Sequence, residues 1–414
     1  MQRACIWAKI ALISVITTGF FLTALWGCDK AIPLFRSVPP YYPELSTLAS
    51  PGNVIRSVAK EFDFIAHINA LGLRGPEIDL EEKKAFRIAV YGSSYTYGWG
   101  VNEEDSFVFR LGDALQHAGL SVEMINLGRN GGAPPQYAAL AAETIPLLKP
   151  DLVIVAVGQG CDLFWTGPPT VSEYLYRMFH RYLPNLTALA HQLTNPVPPA
   201  PPAPYIPETE EQLKQMQESN QQFARECYKK LPPAQKDRFN ALEETIREVF
   251  FSGLYNVGGV LLALQTPDLY ANAVDPDRAD LHRGKKWLKK YLATIARSAR
   301  EVDAQTLVIS VPFGSYVNRP AWERTRRIGF DTPPDMLTST AMDDVIESSA
   351  QDLPFFSTTK AFRDHIDKPD LFFEYDLHMA SEGHRLFAQT IAPWVEAHVR
   401  TSMNNLAASP ATNK

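Results

Sequence analysis

Two serines near the start of the sequence and an acid–base pair near its end could together perform nucleophilic catalysis. Ser93 and Ser94 directly follow Gly92, and Asp376 and His378 lie far downstream, two positions apart. A serine hydroxyl is a weak nucleophile until a neighbouring base takes its proton, and a carboxylate commonly orients that base. The alternative is a Gly/Ser turn with no catalytic role, because both residues are common in turns.

The segments around these residues indicate the elements that would position them. An apolar run over residues 86–91 predicts a buried strand ahead of Gly92, and residues 106–117 predict an amphipathic helix. Further strands are predicted at 122–126, 152–157 and 306–311, with helices at 136–148 and around 285–292. This alternation favours an α/β fold with a parallel sheet covered on both faces. Sites in such sheets lie at the carboxyl edge, where Ser94 would stand.

Four segments in the same order resemble the sequence blocks of the SGNH/GDSL hydrolases, in their bacterial extracytoplasmic branch. They are residues 92–101, 125–131, 157–162 and 376–378. Residues 69–75 resemble an upstream segment that this branch often carries. The resemblance covers roughly residues 61–400 and implies a three-layer, flavodoxin-like sheet.

The resemblance assigns roles to the candidate catalytic residues. Ser94 aligns with the family nucleophile, while Ser93 stands where the family has Asp and is the second candidate. His378 would be the general base, and Asp376 would orient its ring. His384 is the competing base, although its place within a predicted helix favours a structural role.

An oxyanion hole needs hydrogen-bond donors directed at the developing negative charge. The resemblance implies the backbone N–H groups of Ser94 and Gly131 as two of them. Cys161 stands where the family has an Asn donor, and a thiol is a weak donor. We therefore expect the side-chain amide of Gln159 to take part of this role, since on an extended strand it would point to the same side as residue 161.

Two residues are candidates for binding substrate. Arg74 would meet an anionic substrate at the mouth of the site, or would pair with a carboxylate to hold the segment before the first strand. Asn130, within the second block, is the other candidate. In an oxidising compartment Cys161 could also pair with Cys227, which would tie an insertion to the site.

Composition narrows the classes of partner and cofactor. The 414 residues carry a net charge of −6 with no basic stripe, which argues against a nucleic-acid partner. The four cysteines form no C-x-x-C pair, and the nine histidines form no pair spaced like metal ligands. We expect neither a metal nor a cofactor.

The N-terminus predicts a membrane tether. Arg3 and Lys9 precede an uncharged, mostly apolar run that reaches Trp26. In one interpretation Cys28 is lipidated within a lipobox, and Asp29 resembles the signal that retains lipoproteins in the inner membrane. In the other the run is an uncleaved anchor with its basic flank inside. Both place the body outside the cytoplasm, on the periplasmic face of the inner membrane.

These features predict the domain organisation. Residues 1–28 form the signal or anchor and 29–60 a tether. Residues 61–403 form the hydrolase-like domain, interrupted at 163–281 by an insertion that is Pro-rich at 196–204 and helical near 208–230 and 233–251. We expect this insertion to act as a lid, or to decorate the surface. Residues 404–414 form a disordered tail.

The predicted activity is that of a serine esterase acting on a small ester. By analogy with the family and from the compartment, we expect it to remove an acetyl group from a carbohydrate such as an envelope polysaccharide. An O-acyltransferase and a catalytically weak glycan-binding protein are the alternatives on the same fold, the second because of Ser93 and Cys161. A lipase for long acyl chains is a further alternative.

Overall fold

A computed structural model describes residues 2–36, 42–160, 162–194, 209–275 and 277–408. The chain divides into two compact units. The first comprises Met1–Pro43 and Pro168–Pro202, and the second, which contains the sheet, comprises Glu44–Gly167 and Ala203–Lys414.

The strands of the described residues form a hairpin and a larger sheet. They are β1 Val54–Val58, β2 Asp63–His67, β3 Phe86–Gly92, β4 Val122–Gly128, β5 Leu152–Gly158, β6 Gln305–Val311 and β7 Phe355–Ser357. Strands β1 and β2 pair antiparallel. The other five are parallel, in the spatial order β4-β3-β5-β6-β7. This is the flavodoxin-like order, which confirms the predicted α/β fold class.

Helices account for most of the remaining described chain. They are α1 Gln2–Phe35, α2 Ser94–Tyr97, α3 Phe107–His117, α4 Pro134–Leu148, α5 Val171–Tyr182, α6 Pro184–Thr194, α7 Glu210–Lys230, α8 Pro233–Asn240, α9 Glu244–Phe251, α10 Gly258–Gln265, α11 Leu269–Ala273, α12 Ala279–Arg300, α13 Gly314–Val317, α14 Arg319–Arg327, α15 Ala341–Ala350, α16 Thr359–Arg363 and α17 Ser381–Ala408.

Burial explains why the sheet strands read as continuous apolar runs. Every residue of β3 and β5 is buried, as expected for parallel strands that are covered on both faces. The crossover from β3 to β4 runs opposite to the later crossovers, so right-handed connections place α3 and α4 on opposite faces. Helix α17 packs against α3, and α12 packs against α4 and α15. The result is a three-layer arrangement.

The first unit is built around α1, which packs against α6, and α6 also packs against α5. Within α1, the segment Ala11–Phe35 is long and apolar enough to cross a bilayer, with a mean hydropathy of 1.8. A signal sequence would have the same properties. The helix continues past Cys28, and strand β1 begins within the range predicted as a tether.

The insertion at 163–281 is divided between the two units. Helices α5 and α6 belong to the first unit, whereas α7 to α11 belong to the second. The predicted helix near 208–230 corresponds to α7, and the one near 233–251 is broken into α8 and α9. The Pro-rich run at 196–204 lies outside the described residues, as do residues 409–414 of the predicted tail.

Candidate active site

Ser94 is held at the carboxyl edge of the sheet by a short helix that packs directly on two strand ends. Strand β3 ends at Gly92, and Ser94 is the first residue of α2. The neighbouring strand β4 ends at Gly128, where an added Cβ would lie 2.1 Å from the backbone nitrogen of Tyr97. Only a glycine permits this approach, so the sequence of β4 helps to fix the position of the serine.

The structure brings together the three residues at the two distant ends of the sequence. The Oγ of Ser94 lies 2.7 Å from Nε2 of His378. On the other side of the ring, Nδ1 of His378 is in a short contact with Oδ1 of Asp376. The His378 side chain remains about one quarter exposed, whereas that of Asp376 is buried. The imidazole can therefore take a proton from the serine while its far nitrogen donates to the carboxylate.

A sharp backbone bend allows an acid and a base only two positions apart to interact in this way. Leu377, between them, has a φ of 68°, in the left-handed region that branched and bulky residues rarely adopt. The N–H of Phe373 donates to the carbonyl of His378 at 2.9 Å and closes the loop. Residues held in such conformations are often found at functional sites.

Glu61, which the sequence analysis did not identify, holds this loop from the β1–β2 hairpin. Its carboxylate accepts the backbone N–H groups of Glu374, Tyr375 and Asp376, the last two at 2.8 and 3.1 Å. Burial raises the pKa of Glu61, although the three N–H groups act in the opposite direction. One side chain thus fixes three consecutive residues of the loop that carries Asp376.

Trp99 and Tyr95 complete the surroundings of the acid–base pair. The indole Nε1–H of Trp99 donates to Oδ2 of Asp376 at 3.2 Å. Burial alone would raise the pKa of Asp376, but the charge of His378 and the hydrogen bonds from His378 and Trp99 outweigh it and lower the pKa. The ring of Tyr95 lies against that of His378, with 4.9 Å between centroids. Both residues fix the orientation of the histidine.

Three of the four residues predicted to form the oxyanion hole line the pocket. They are Ser94, Gly131 and Gln159. Gly131 has a φ of +66° and open space where a Cβ would stand, so it leaves its backbone accessible. Cys161 lies outside the described residues, and its predicted roles stay predictions. Its proposed disulfide partner Cys227 is a free thiol.

The prediction for Gln159 is wrong. Its amide nitrogen lies 2.7 to 3.1 Å from acceptors on Ser310, Asp343 and Thr359. Its carbonyl oxygen accepts the N–H of Phe313. An amide has two hydrogens to donate, and these buried partners use them. Gln159 therefore ties the end of β5 to neighbouring elements and has no hydrogen left for an oxyanion.

Asp162, which ends the third sequence block, anchors the loop that follows β5. It is buried, and its carboxylate accepts the N–H of Gly158 at 2.8 Å and the hydroxyl of Tyr137 at 3.0 Å. Burial raises its pKa to about 7, although both hydrogen bonds act to lower it. The loop that contains position 161 is thus fixed at its far end.

The hydrogen bonds of Arg74 agree with a holding role, but its partners are backbone carbonyls and not the expected carboxylate. The side chain is buried, at 2% exposure, and pairs with no carboxylate among the described residues. Its guanidinium donates instead to four backbone carbonyls, those of Tyr97, Gly98, Ile65 and Val101. Arg74 therefore stabilises residues 97–101, the segment at the C-terminal end of α2. It is not among the pocket-lining residues.

The pocket in front of Ser94 has a volume of about 330 Å³. Asn130 lines the pocket together with Gly132 and Gly160, and its role in binding substrate stays a prediction. The second half of the insertion contributes Tyr255, Asn256 and Tyr270, which no sequence pattern indicated. Eight aromatic side chains contribute to the lining: Tyr95, Trp99, Trp165, Tyr255, Tyr270, Phe313, Phe330 and Tyr375.

The two competing candidates lie in different surroundings. Ser93 occupies the N-cap position of α2 without a side-chain capping hydrogen bond, its carbonyl accepts the N–H of Tyr97 at 3.0 Å, and it lines the pocket beside Ser94. The Nδ1 of His384 accepts the N–H of Phe107 at the start of α3, at 3.2 Å. Burial lowers the pKa of His384 to about 3, so its ring is neutral at physiological pH. Within the described residues, no group of three or more His, Cys, Asp or Glu side chains is placed to hold a metal ion.

Comparison with known proteins supports the family resemblance. Residues 90–249 match the family model for the GDSL-like lipase/acylhydrolase family. This range contains Ser94 and the first three sequence blocks. No curated protein sequence matches the chain at a significant level.

Several solved structures are similar to the chain at low sequence identity. A GDSL-like lipase from Bacteroides thetaiotaomicron is 13% identical, with 78% of this chain and 93% of that chain covered and a TM-score of 0.33. An acetylxylan esterase from Geobacillus stearothermophilus, solved as a catalytic mutant, is 13% identical, with 77% and 96% covered and a TM-score of 0.34. The acetyl xylan esterase AlAXEase is 12% identical, with 75% and 98% covered and a TM-score of 0.35.

Proposed function

We propose that this chain, in which residues 90–249 match the model of the GDSL-like lipase/acylhydrolase family, is a serine esterase that uses Ser94, His378 and Asp376. The observation that carries the proposal is the 2.7 Å contact between Ser94 Oγ and His378 Nε2, with Asp376 on the opposite ring nitrogen. Hydrogen-bond contact of this kind between nucleophile and base is what activates a serine.

The reaction proceeds through an acyl-enzyme. His378 takes the hydroxyl proton of Ser94 as Oγ attacks the ester carbonyl, and the N–H groups of Ser94 and Gly131 bind the resulting oxyanion. The tetrahedral intermediate then expels the alcohol, which receives the proton from His378. A water molecule, deprotonated by the same histidine, releases the acid and restores the serine. Asp376 stabilises the imidazolium in both halves.

The pocket favours a short acyl group. Its volume of about 330 Å³ lies at the small end of the roughly 300–1,000 Å³ that is usual for ligand sites. Its apolar, aromatic walls would accept a methyl group and stack against a flat sugar face. These features support an acetylated carbohydrate as substrate, with Asn130 positioned to bind it.

Transfer of the acyl group to a sugar hydroxyl is the second candidate. Tyr255 and Asn256 from the insertion line the same pocket as Ser94. Exclusion of water from an acyl-enzyme would favour an alcohol acceptor over hydrolysis. Product analysis with an acetyl donor and an oligosaccharide acceptor separates the two, because only a transferase forms an acetylated oligosaccharide.

We also propose that the domain is tethered to the periplasmic face of the inner membrane by its N-terminal segment. The support is the span-length apolar helix α1 with Arg3 and Lys9 at its start. The mass of the mature protein distinguishes an uncleaved anchor from a lipoprotein that begins at Cys28. A protein released in soluble form on cell fractionation would refute both forms of tether.

Labelling with a fluorophosphonate probe tests the nucleophile. We expect the probe to be found on the peptide that contains Ser94, and to be lost in Ser94→Ala. Ser93→Ala is the matched control and should still be labelled. If Ser94→Ala remains labelled while Ser93→Ala does not, the nucleophile is Ser93. If no serine is labelled, the proposed activated serine is refuted, and a glycan-binding protein becomes the favoured alternative.

A further inference from the structure

Helix α5 presents a continuous apolar stripe on its exposed side. Its members occupy positions i, i+3, i+4, i+7, i+8 and i+11, which share one face of a helix. Each of them is exposed by 37 to 76%. They are Val171, Tyr174, Leu175, Met178, Phe179 and Tyr182. Isolated apolar residues at a surface are ordinary, but a contiguous stripe marks an interaction surface.

The positions of α5 outside the stripe are mostly polar, with three basic residues and one acidic residue. Arg177, His180 and Arg181 fall outside the apolar stripe. His180 faces α6, with its Nδ1 2.9 Å from the hydroxyl of Thr187. A helix with a large apolar face, basic residues on its polar side and aromatic residues among its apolar ones is typical of a segment that lies in the membrane interface.

The partner helix α6 is attached to the end of the predicted membrane anchor. Asp29 of α1 is buried, and its Oδ1 accepts the N–H of Leu186 at 2.9 Å. The side-chain amide of Asn185 also donates to the Asp29 carboxylate and carbonyl. A carboxylate at a helix N-terminus satisfies an otherwise unpaired N–H and favours the helix dipole. The first turn of α6 is therefore fixed to residue 29.

This attachment places the first turn of α6 close to the end of the uncharged apolar run of α1. The apolar run of α1 ends at Trp26, which is 55% exposed, as expected for a residue of the interfacial aromatic belt. A lipid on Cys28 would also bring residue 29 to the membrane surface. Under either form of the tether, the first turn of α6 is attached three residues beyond Trp26.

We propose that α5 lies on the bilayer surface with the stripe from Val171 to Tyr182 embedded among the lipids, while Asp29 couples α6 to the anchor. The unit made of α1, α5 and α6 then attaches the protein at two places. Anionic headgroups pair with the exposed Arg181, since Arg side chains can extend from an apolar surface to charged lipids. This inference rests on the proposed tether but not on the proposed esterase activity.

Photocrosslinking of the full chain in native membranes tests the proposal. Benzophenone side chains are placed at Tyr182 and Tyr174 within the stripe, and at Tyr176 as the matched control. Tyr176 is also an exposed tyrosine of α5 but lies outside the stripe. We expect phospholipid adducts at Tyr174 and Tyr182, and only background at Tyr176. A second variant, Leu175→Glu, should abolish the adduct at Tyr182.

Three results would overturn the proposal. Equal lipid adducts at all three positions would mean that α5 has no lipid-facing side. Adducts only to protein, within the chain or to a second copy, would identify a protein contact as the cover of the stripe. No adduct at any position would place the helix in water. Retained fluorophosphonate labelling in these variants separates loss of membrane contact from loss of esterase function.

Discussion

At the scale of single residues, the orientation of His378 depends on side chains from three parts of the chain. Asp376 contacts its Nδ1, Trp99 donates to the same carboxylate, and Tyr95 packs against the ring. Glu61 acts one step further away, through the backbone that carries Asp376. Catalytic groups are effective only when their supports hold them within a fraction of an ångström.

Replacement of Glu61 by Gln should therefore slow the reaction without abolishing binding. The amide has one acceptor oxygen, and its NH₂ group would face N–H donors in the loop at 374–376, so the loop that carries Asp376 loses support. We expect kcat to fall by about 10- to 100-fold, with a small change in KM. Steady-state kinetics on p-nitrophenyl acetate measures both parameters.

Asp63→Asn is the control for this variant. Asp63 lies in the same hairpin but pairs with Arg56 at the surface, so its kcat should equal that of the parent. An unchanged kcat in Glu61→Gln would show that the loop is held without this carboxylate.

Asp162 gives a pH dependence with a defined sign. Burial raises its pKa to about 7, whereas a carboxyl in an unfolded chain titrates near 3.9. Between these values the native state binds more protons, so the free energy of unfolding contributed by this group falls as the pH rises from about 4 to about 7. Asp162→Asn keeps an acceptor and removes the charge, and its stability should depend less on pH over this range.

Urea unfolding at pH 5 and pH 8 measures this difference. The control is Asp113→Asn, an exposed residue of α3, which should keep the dependence of the parent. A pH dependence in Asp162→Asn as steep as that of the parent would mean that Asp162 is ionised in the native state throughout.

The catalytic candidates could be predicted because they stand in sequence blocks. The residues that hold them in position could not. Ser94 and His378 stand in recognisable blocks, and the structure brings them into contact. Glu61 lies in a polar stretch with no motif, and its role depends on a loop distant in sequence. Gln159 was mispredicted because strand alternation fixes a direction, but not the acceptors that a side chain meets there.

At the scale of elements, the chain that leaves α2 is held by a buried cation. Arg74 binds four carbonyls, and burial lowers its pKa. The planar guanidinium can reach several acceptors at once, which the compact ammonium of lysine cannot. This chain joins α2, which carries Ser94, to the rest of the sheet domain.

Arg74→Lys should destabilise the protein by about 1–3 kcal/mol, since buried carbonyls lose charge-assisted hydrogen bonds. The control is Arg56→Lys, a surface ion pair of the hairpin, for which we expect a change within about 0.5 kcal/mol. Chemical denaturation measures both. Equal stabilities of the two variants would contradict the bracing role of Arg74.

The long strands of the sheet were predictable because short, continuous apolar runs of this kind are typical of strands buried on both faces. All four predicted strands are present, each within two residues of its predicted bounds. Strand β7 spans only three residues and gives no periodic signal. The break between α8 and α9 also escaped prediction, because Leu242 and Glu243, which lie at the break, are both good helix formers.

At the scale of the whole molecule, the insertion serves two units. Its first part contributes the helices that we propose to contact the bilayer, and its second part contributes walls of the pocket. Neither role could be derived from the sequence, because both depend on where the helices pack. The Pro-rich run predicted where the two parts of the insertion separate, but not what either part does.

The aromatic pocket predicts a strong preference for short acyl chains. On p-nitrophenyl esters, we expect kcat/KM to be highest for acetate and to fall steeply from butyrate to octanoate, because a longer chain overfills a pocket of about 330 Å³. Tyr270→Ala should enlarge the site and shift the preference towards butyrate, with Tyr228→Ala, a tyrosine of α7 that is not among the pocket-lining residues, as the control. A preference that rises with chain length would instead identify a lipase.

The most direct test of the account is the turnover of p-nitrophenyl acetate by the full chain, compared with Ser94→Ala and His378→Ala. If the contact between Ser94 and His378 is catalytic, the parent turns over and both variants lose nearly all activity, since removal of any member of such a triad leaves only residual rates. A parent that turns over while either variant keeps its full rate would contradict the assignment of the site.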